Sequence, residues 1–297
     1  MPSTLIDTRC DSCDEAVDES TGTYCESYGV WNCEDCGSCS CEDCDPDETP
    51  ERDSRIHDWS YRPRKFRPKG NYPSEVLLGV ELEVGGDESD IADVVESFDP
   101  CEDHLYMKLD GSISGVEIVT HPMTLAWARD YPFGSILGGL RSAGCEVDSG
   151  YGLHIHVSRN AFQRMGKQSA AHQMVWLLFM YRNVDELERL ARRSSDRWAS
   201  FKKPVAGELA RKAQTVQPDD RYVAVNCNNA KTFELRFFGS TLQETEFNAA
   251  LEFADASVQY TRNLSTHQVV HEDAITWRSF VTWVERQDYR NLLAEIS

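Results

Sequence analysis

Four short segments of the chain place charged or imidazole side chains within runs of residues that predict β-strands. These segments are Glu81-Leu82-Glu83, Val116-Glu117-Ile118, His154-Ile155-His156 and Glu234-Leu235-Arg236. Because side chains along a strand alternate between its two faces, each segment presents its polar residues on one face and its apolar residues on the other. A sheet face lined by carboxylates, imidazoles and an arginine is costly unless a cation, or a ligand that carries cations, lies among them. The pattern therefore predicts a metal-dependent site on a sheet.

The rest of the pattern predicts strands scattered among helices. Strand patterns cover 75–84, 106–109, 116–120, 145–147, 153–158, 222–227 and 232–238. Helical patterns cover 90–98, 124–143, 160–199, 241–263, 274–285 and 288–296. Asp110-Gly111 favours a hairpin turn between two predicted strands, and Thr241 with Glu244 fits a capping box. We predict an α+β fold with a largely antiparallel sheet and flanking helices.

Eight of the 11 cysteines are concentrated near the N-terminus, at Cys10, Cys13, Cys25, Cys33, Cys36, Cys39, Cys41 and Cys44. A CxxC turn presents two sulfurs at the spacing that tetrahedral Zn²⁺ requires. The three CxxC turns and two further cysteines supply enough ligands for two closed zinc sites, and the metal would supply folding energy that so small a segment lacks. We predict a zinc-binding module over 1–50. A disulfide-stapled fold is the alternative, and the spacing does not indicate which cysteines share a metal.

Charge and composition divide the remaining chain. Residues 51–72 are rich in proline and charge and predict a linker, which leaves 73–297 as the main domain. The net charge of −20 is uneven, because residues 1–60 carry a net of −14 whereas 61–70 carry +5. An acidic chain is a poor candidate for general nucleic-acid binding. The basic stretch is compatible with contact to RNA or DNA, but we interpret it as part of the linker.

The N-terminal segment and the apolar runs of the chain predict the compartment of the protein. The N-terminal segment lacks the basic and apolar regions of a signal peptide, which also favours thiolate–metal chemistry over disulfides. No apolar run approaches the roughly 18 residues of a membrane span. We therefore expect a cytoplasmic protein that does not bind membranes.

Alternatives exist for each polar segment taken alone. Carboxylates at Glu81 and Glu83 lie about 7 Å apart on one strand face, a spacing that suits two hard cations around a triphosphate. The same pair also fits a solvated strand face. A lone buried histidine is commonly a core residue, but two on one face both need partners. Glu234 beside Arg236 fits a plain cross-strand salt bridge.

Taken together, the segments resemble the amidoligase family of carboxylate–amine ligases, which share the catalytic fold of glutamine synthetase and γ-glutamylcysteine ligase. The resemblance covers roughly residues 75–260. It depends on short motifs that occur in the family's order: Gly79-Val-Glu-Leu-Glu, Asp110-Gly-Ser with Gly115-Val-Glu-Ile-Val, Gly152-Leu-His-Ile-His-Val, and Asn226 followed by Thr232-Phe-Glu-Leu-Arg-Phe-Phe-Gly. It does not extend to the cysteine-rich module.

The resemblance implies an antiparallel sheet curved into a funnel, with ATP entering at one end and a carboxylate substrate at the other. It also implies two divalent ions, Mg²⁺ or Mn²⁺. Glu81, His154 and Glu234 would bind one ion, and Glu83 and Glu117 the other. The implied reaction phosphorylates a carboxylate to an acyl phosphate, which an amine attacks to give an amide.

Further roles are expected for residues around the metals. By the same resemblance, His156 would face the nucleotide phosphates and Arg236 would stabilise the transferred phosphoryl group. The chain has no GxxxxGK[ST] loop, so further phosphate contacts are expected from basic residues such as Arg192, Arg193, Arg197, Lys202 and Lys203, for which a solvated helix end is the alternative. Candidate substrate-binding residues are Asp110, Ser112 and Asn226, although Asp-Gly-Ser is also an ordinary turn.

Two other functions are consistent with the same residues. A non-catalytic, zinc-dependent interaction protein would use the acidic sheet face to bind a cation or a basic peptide. A metal-dependent phosphohydrolase would direct the same ions at water. We favour the ligase, with a carboxylate and an amine as substrates, and interpret the zinc module as a recognition or docking element. A peptide, a protein and an amino acid all stay open as the substrate that is modified.

Overall fold

The structure is a computed structural model that describes residues 17, 23–25, 30–32, 52–70, 76–111, 113–164, 167–193, 199–201, 223–271 and 273–297. It divides the chain into two compact units, Met1–Asp53 and Ser54–Ser297. In the first unit, strands β1 (Thr23–Cys25) and β2 (Val30–Asn32) form an antiparallel pair. Seven of the eight predicted zinc ligands lie outside the described residues, and only the backbone of the eighth, Cys25, is described. The zinc module therefore stays a prediction.

The second unit is built on an eight-stranded sheet, counted over the described residues. Its strands are β3 (Ile56–His57), β4 (Leu77–Val84), β5 (Leu105–Leu109), β6 (Val116–Thr120), β7 (Met123–Thr124), β8 (Gly152–Ser158), β11 (Val225–Asn226) and β12 (Thr232–Gly239). The order is β11-β12-β8-β4-β6-β5-β3, with β7 beside β4. Every pairing is antiparallel except that of β3 with β5. The predicted antiparallel sheet is confirmed. A separate hairpin pairs β9 (Gln163–Arg164) with β10 (Lys167–Gln168).

Nine described helices flank the sheet, together with a short 3₁₀-helix at Arg159–Phe162. They are α1 (Glu88–Phe98), α2 (Leu125–Asp130), α3 (Phe133–Ser142), α4 (Ala170–Arg182), α5 (Val184–Ala191), α6 (Glu244–Arg262), α7 (Thr266–His271), α8 (Trp277–Val284) and α9 (Arg290–Ile296). None of these helices has the length and apolar character needed to cross a membrane.

Three local expectations need correction. The helix predicted over 160–199 is limited to α4 and α5 in the described residues, because the 3₁₀-helix and the hairpin of β9 with β10 precede them. Helix α6 begins at Glu244, with Gln243 as its N-cap. The Thr241 hydroxyl accepts a hydrogen bond from the Gln243 amide and donates one to the Glu246 carboxylate, so it does not cap the helix. The predicted capping box is therefore wrong. The predicted strand at 145–147 is reduced to one backbone bridge between Glu146 and Gly85.

The apolar face of the sheet forms the core. Leu78, Val80 and Leu82 on β4 and Ile155 on β8 are buried. Helix α6 packs against both of these strands. The helices cover this face. Because side chains alternate along a strand, the carboxylates and imidazoles of the same strands lie on the opposite face, where the site forms.

The segment predicted as a linker contributes to this unit. Arg55 pairs with Asp93 and Glu96 of α1, at 2.6 and 2.9 Å. β3 then adds a parallel strand at the edge of the sheet, and the backbone of Lys69 bonds to that of Pro122 and Thr124. The range 51–72 therefore includes an ordered sheet edge. A two-residue strand is too short to leave an alternating pattern in the sequence.

Candidate functional site

Strand register aligns the polar residues into rows across the sheet. Glu81 on β4 lies opposite His154 on β8. Two residues further along β8, His156 lies opposite Glu234 on β12, which in turn lies opposite Asn226 on β11. His154 and Glu234 are therefore diagonal neighbours, within reach of each other. Residues far apart in sequence meet because β8 lies between β4 and β12.

Glu81, His154 and Glu234 form a cluster that fits a divalent ion. Each offers one ligand atom, and the three atoms lie within 4.8 Å of one another. The buried Nδ1 of His154 has no hydrogen-bond partner in the described structure. It lies 3.6 Å from a Glu81 oxygen and 3.7 Å from a Glu234 oxygen. Two carboxylate oxygens and an imidazole nitrogen suit Mn²⁺ and Mg²⁺, so the residues present fit the first ion that the resemblance implies.

Each carboxylate of the cluster has a partner that orients it. His156 Nε2 lies 3.1 Å from Glu81 Oε1, while its Nδ1 lies 3.1 Å from the Thr232 hydroxyl. The Asn226 amide donates to Glu234 Oε2 at 2.8 Å, and Arg236 forms an ion pair with Glu234 Oε1. The predicted substrate ligand Asn226 therefore contacts a metal-site carboxylate.

Electrostatics couple Glu81 to His156. Burial alone would lower the pKa of His156, but the Glu81 carboxylate outweighs it and raises the pKa to about 9. Burial alone would raise the pKa of Glu81, but His156 and His154 hold it well below its usual range. Near neutral pH, His156 is therefore a protonated counter-charge to an ionised Glu81. His156 is not among the residues that line the neighbouring cavity, so its role toward nucleotide phosphates stays a prediction.

A cavity of about 270 Å³ opens beside the cluster. Its lining residues are Glu83, Ile113, Ser114, Asp148, Gly150, Tyr151, His154, Arg193 and Arg236. Arg193 is buried, and the Nε atoms of both arginines are buried without a partner in the part of the chain that the structure describes. Two arginines facing a cavity next to a metal-ligand cluster make a site for a polyanion.

The predicted phosphate-binding residues separate into three groups. Arg193 lines the cavity, whereas Arg192 forms ion pairs with Glu246 and Glu295 and does not line it. The third group lies outside the described residues and consists of Arg197, Lys202 and Lys203. The substrate candidate Ser112 also lies outside them. Asp110 is half-buried and does not line the cavity, although its charge adds to the effect of burial in raising the pKa of Glu83.

A second row places Lys108, Glu117 and Glu83 side by side on β5, β6 and β4. Lys108 Nζ lies 2.6 Å from Glu117 Oε2. Burial raises the pKa of Glu117 to about 9, with the Glu81 carboxylate adding to the effect and Lys108 opposing it. Lys108 is not among the site residues predicted from the sequence, although it lies in the predicted hairpin. Pairing 106–109 with 116–120 around the turn sets Lys108 opposite Glu117.

Gly152 allows the groups of the site to approach one another. Its amide donates to Glu83 Oε2. A Cβ at this position would lie 2.7 Å from His154 Nε2 and 2.8 Å from Arg193 Nη1, so both side chains would have to move. We expect Gly152→Ala to weaken Mn²⁺ binding about tenfold, the lower end of the effect of altering a metal site's supporting shell. Titration followed by electron paramagnetic resonance would measure this.

The matched control is Gly111→Ala, because a Cβ at Gly111 meets no atom within 4 Å. It should leave Mn²⁺ affinity unchanged. Equal affinities for the two variants would show that the close approach at Gly152 does not position the ligands.

Comparisons with known proteins find similar solved structures but no matching family model. No protein-family model matches the chain, and a comparison with curated proteins finds no match. Among solved structures, the GmaS/ADP complex (conformation 1) is 13% identical, with a TM-score of 0.41 over 75% of this chain and 66% of that chain. The complex between the prokaryotic ubiquitin-like protein Pup and its ligase PafA is 11% identical, with a TM-score of 0.33 over 64% of this chain and 47% of that chain.

The chain thus spans about two thirds of the first of these structures and less than half of the second. Both TM-scores are too low to support an argument about fold or function. The functional conclusion therefore depends on the geometry of the site.

Proposed function

We propose that the chain is an ATP-dependent carboxylate–amine ligase that forms an amide bond through an acyl phosphate. One observation carries the proposal: Glu81, His154 and Glu234 converge within 4.8 Å, beside a cavity lined by Arg193 and Arg236. A divalent-ion site next to two arginines is the arrangement that binds and activates a polyphosphate. The ordered motifs that resemble amidoligases support the same conclusion.

In this proposal each residue of the site has a distinct task. Glu81, His154 and Glu234 hold Mg²⁺ or Mn²⁺, and that ion, when bound, neutralises phosphate charge. Arg193 binds the nucleotide phosphates from the cavity. Arg236 donates to the phosphoryl group as it is transferred, where negative charge builds up. His156 contributes a further positive charge toward the phosphates.

The reaction has two steps. An oxygen of the substrate carboxylate attacks the γ-phosphorus, the bond to the β,γ-bridging oxygen breaks, and ADP leaves. The amine nitrogen then attacks the acyl carbon, phosphate leaves, and the nitrogen loses a proton to give the amide. No serine or cysteine nucleophile is required. The tasks of the chain are to position the two substrates and to offset charge.

Nucleotide titration tests the proposal against its rivals. The ligase should bind ATP strongly in the presence of Mg²⁺ and weakly after chelation. In the presence of a panel of carboxylates and amines, amide products should appear by mass spectrometry together with ADP. A non-catalytic interaction protein would bind ATP equally with or without metal. A phosphohydrolase would release phosphate at a rate that amines do not suppress.

We also propose that residues 1–50 form a zinc-bound recognition element for a peptide or protein substrate. The cysteine spacing supports this. Metal analysis should find about two zinc ions per chain, and a chelator that removes them should abolish structure in this segment alone. Intact disulfides, found by mass spectrometry under non-reducing conditions, would contradict the zinc assignment.

A further inference from the structure

Lys108 lies where the resemblance implies a second divalent ion. The two implied ligands, Glu83 and Glu117, lie opposite each other on β4 and β6. Lys108 lies opposite Glu117 on the other side, on β5. Its ammonium nitrogen is 2.6 Å from Glu117 Oε2, and the side chains of Lys108 and Glu117 are 18% and 2% exposed. The buried carboxyl group of Glu117 therefore already has a cationic partner, the Lys108 ammonium.

The backbone determines this contact. Directly opposed residues in an antiparallel pair have Cβ atoms about 4.5–5.5 Å apart. The pair lies within a regular ladder that runs from Leu105 opposite Thr120 to Leu109 opposite Val116. Lys108 therefore reaches Glu117 because of strand register, and no loop movement is needed to bring it there.

Glu83 also has a partner that limits it as a metal ligand. Its Oε2 accepts a hydrogen bond from the Gly152 amide, and its Oε1 lies 3.7 Å from His154 Nε2. The residues present thus fit the first implied ion and not the second.

We propose that Lys108 provides a fixed positive charge in place of the second divalent ion, so that the site holds one ion, at Glu81, His154 and Glu234. This inference depends on the proposed function, because it concerns the same polyphosphate site. An ammonium covalently attached to β5 occupies the carboxyl group of Glu117 at any metal concentration. Because it is a donor without ligand capacity, it also prevents Glu117 and Glu83 from closing around a second cation.

The test counts Mn²⁺ bound to the full-length chain by electron paramagnetic resonance, as differences between variants, so that any binding elsewhere cancels. Glu117→Gln should leave the count unchanged, because Glu117 binds no ion. Lys108→Met should raise the count by one, because it frees the facing carboxyl groups of Glu117 and Glu83 to bind an ion. The double variant, Lys108→Met with Glu117→Gln, should return to the wild-type count. Circular dichroism would check that each variant folds.

Two results would overturn the inference: loss of one Mn²⁺ in Glu117→Gln, or an unchanged count in folded Lys108→Met. Should Lys108→Met fail to fold, the Glu117→Gln count still decides. Failure of the proposed function gives a different result. If the proposed function is wrong, Glu81→Gln would lose no Mn²⁺, and the inference about Lys108 would then be wrong as well. A second ion in the wild type, with the first still lost in Glu81→Gln, would leave the ligase proposal standing.

Discussion

Replacing Glu81 by Gln is expected to weaken Mn²⁺ binding more than about 100-fold, beyond the 10–100-fold range typical of supporting residues. Glu81 supplies a charged ligand atom to the cluster with His154 and Glu234, and it is also the partner of His156. Gln keeps the shape of the side chain but loses the negative charge. His156 would also lose the carboxylate that keeps it protonated, but the loss of this nearby positive charge offsets only a small part of the effect, because Glu81 contacts the ion directly. Calorimetric titration with Mn²⁺ would measure the loss, and Mg²⁺-dependent ATP binding should disappear with it.

Glu146→Gln is the matched control for that experiment. Glu146 is exposed, and its backbone pairs with Gly85 directly after β4. The same chemical change next to the same strand should leave Mn²⁺ affinity within about twofold, because an isolated surface charge has a small effect. If both variants bind Mn²⁺ as the wild type does, Glu81 is not a ligand and the ligase proposal fails.

Arg193→Gln is expected to weaken Mg²⁺-dependent ATP binding about 10- to 100-fold. Hydrogen bonds to charged groups contribute about 1.5–3 kcal/mol, which corresponds to that range. Arg193 lines the cavity beside the cluster, and its buried Nε has no partner elsewhere in the described chain. Since a neutral side chain cannot replace the charge, the loss should appear in nucleotide affinity. Mn²⁺ binding without nucleotide should change little.

The adjacent arginine is the matched control. Arg192 forms ion pairs with Glu246 and Glu295, so Arg192→Gln should leave ATP affinity within about twofold. Partly exposed ion pairs contribute at most about 1 kcal/mol, and the melting temperature should fall only slightly. Equal losses of ATP affinity in the two variants would show general electrostatic attraction and would remove Arg193 from its proposed role.

The difference between these arginines was not predictable from the sequence. Both occur in one basic run, and the local sequence pattern predicts the same role for both. Arg192 ends α5 in a left-handed conformation, with φ +52°. This turn directs the two side chains to different surroundings: Arg192 contacts helices α6 and α9, and Arg193 faces the cavity. A backbone reversal over one residue leaves no periodic signal.

The contact between Lys108 and Glu117 is partly predictable from the sequence. The hairpin that pairs β5 with β6 was predicted, and its register alone sets Lys108 opposite Glu117. Glu117, by contrast, is a candidate from the sequence alone, because a glutamate in a β-branched strand is unusual. An unusual residue suggests a site, but its partner becomes visible only when the pairing is followed across the strands.

The sequence by itself determined which residues share a face. Alternation is local, so it placed Glu81 and Glu83 on the face of β4 opposite Val80 and Leu82, and it did the same for the histidines of β8. The sequence did not determine strand order. Only the tertiary structure places β8 between β4 and β12, which brings His154 to Glu81 and Glu234. Strand order depends on contacts between residues distant in sequence, which a period of two residues does not encode.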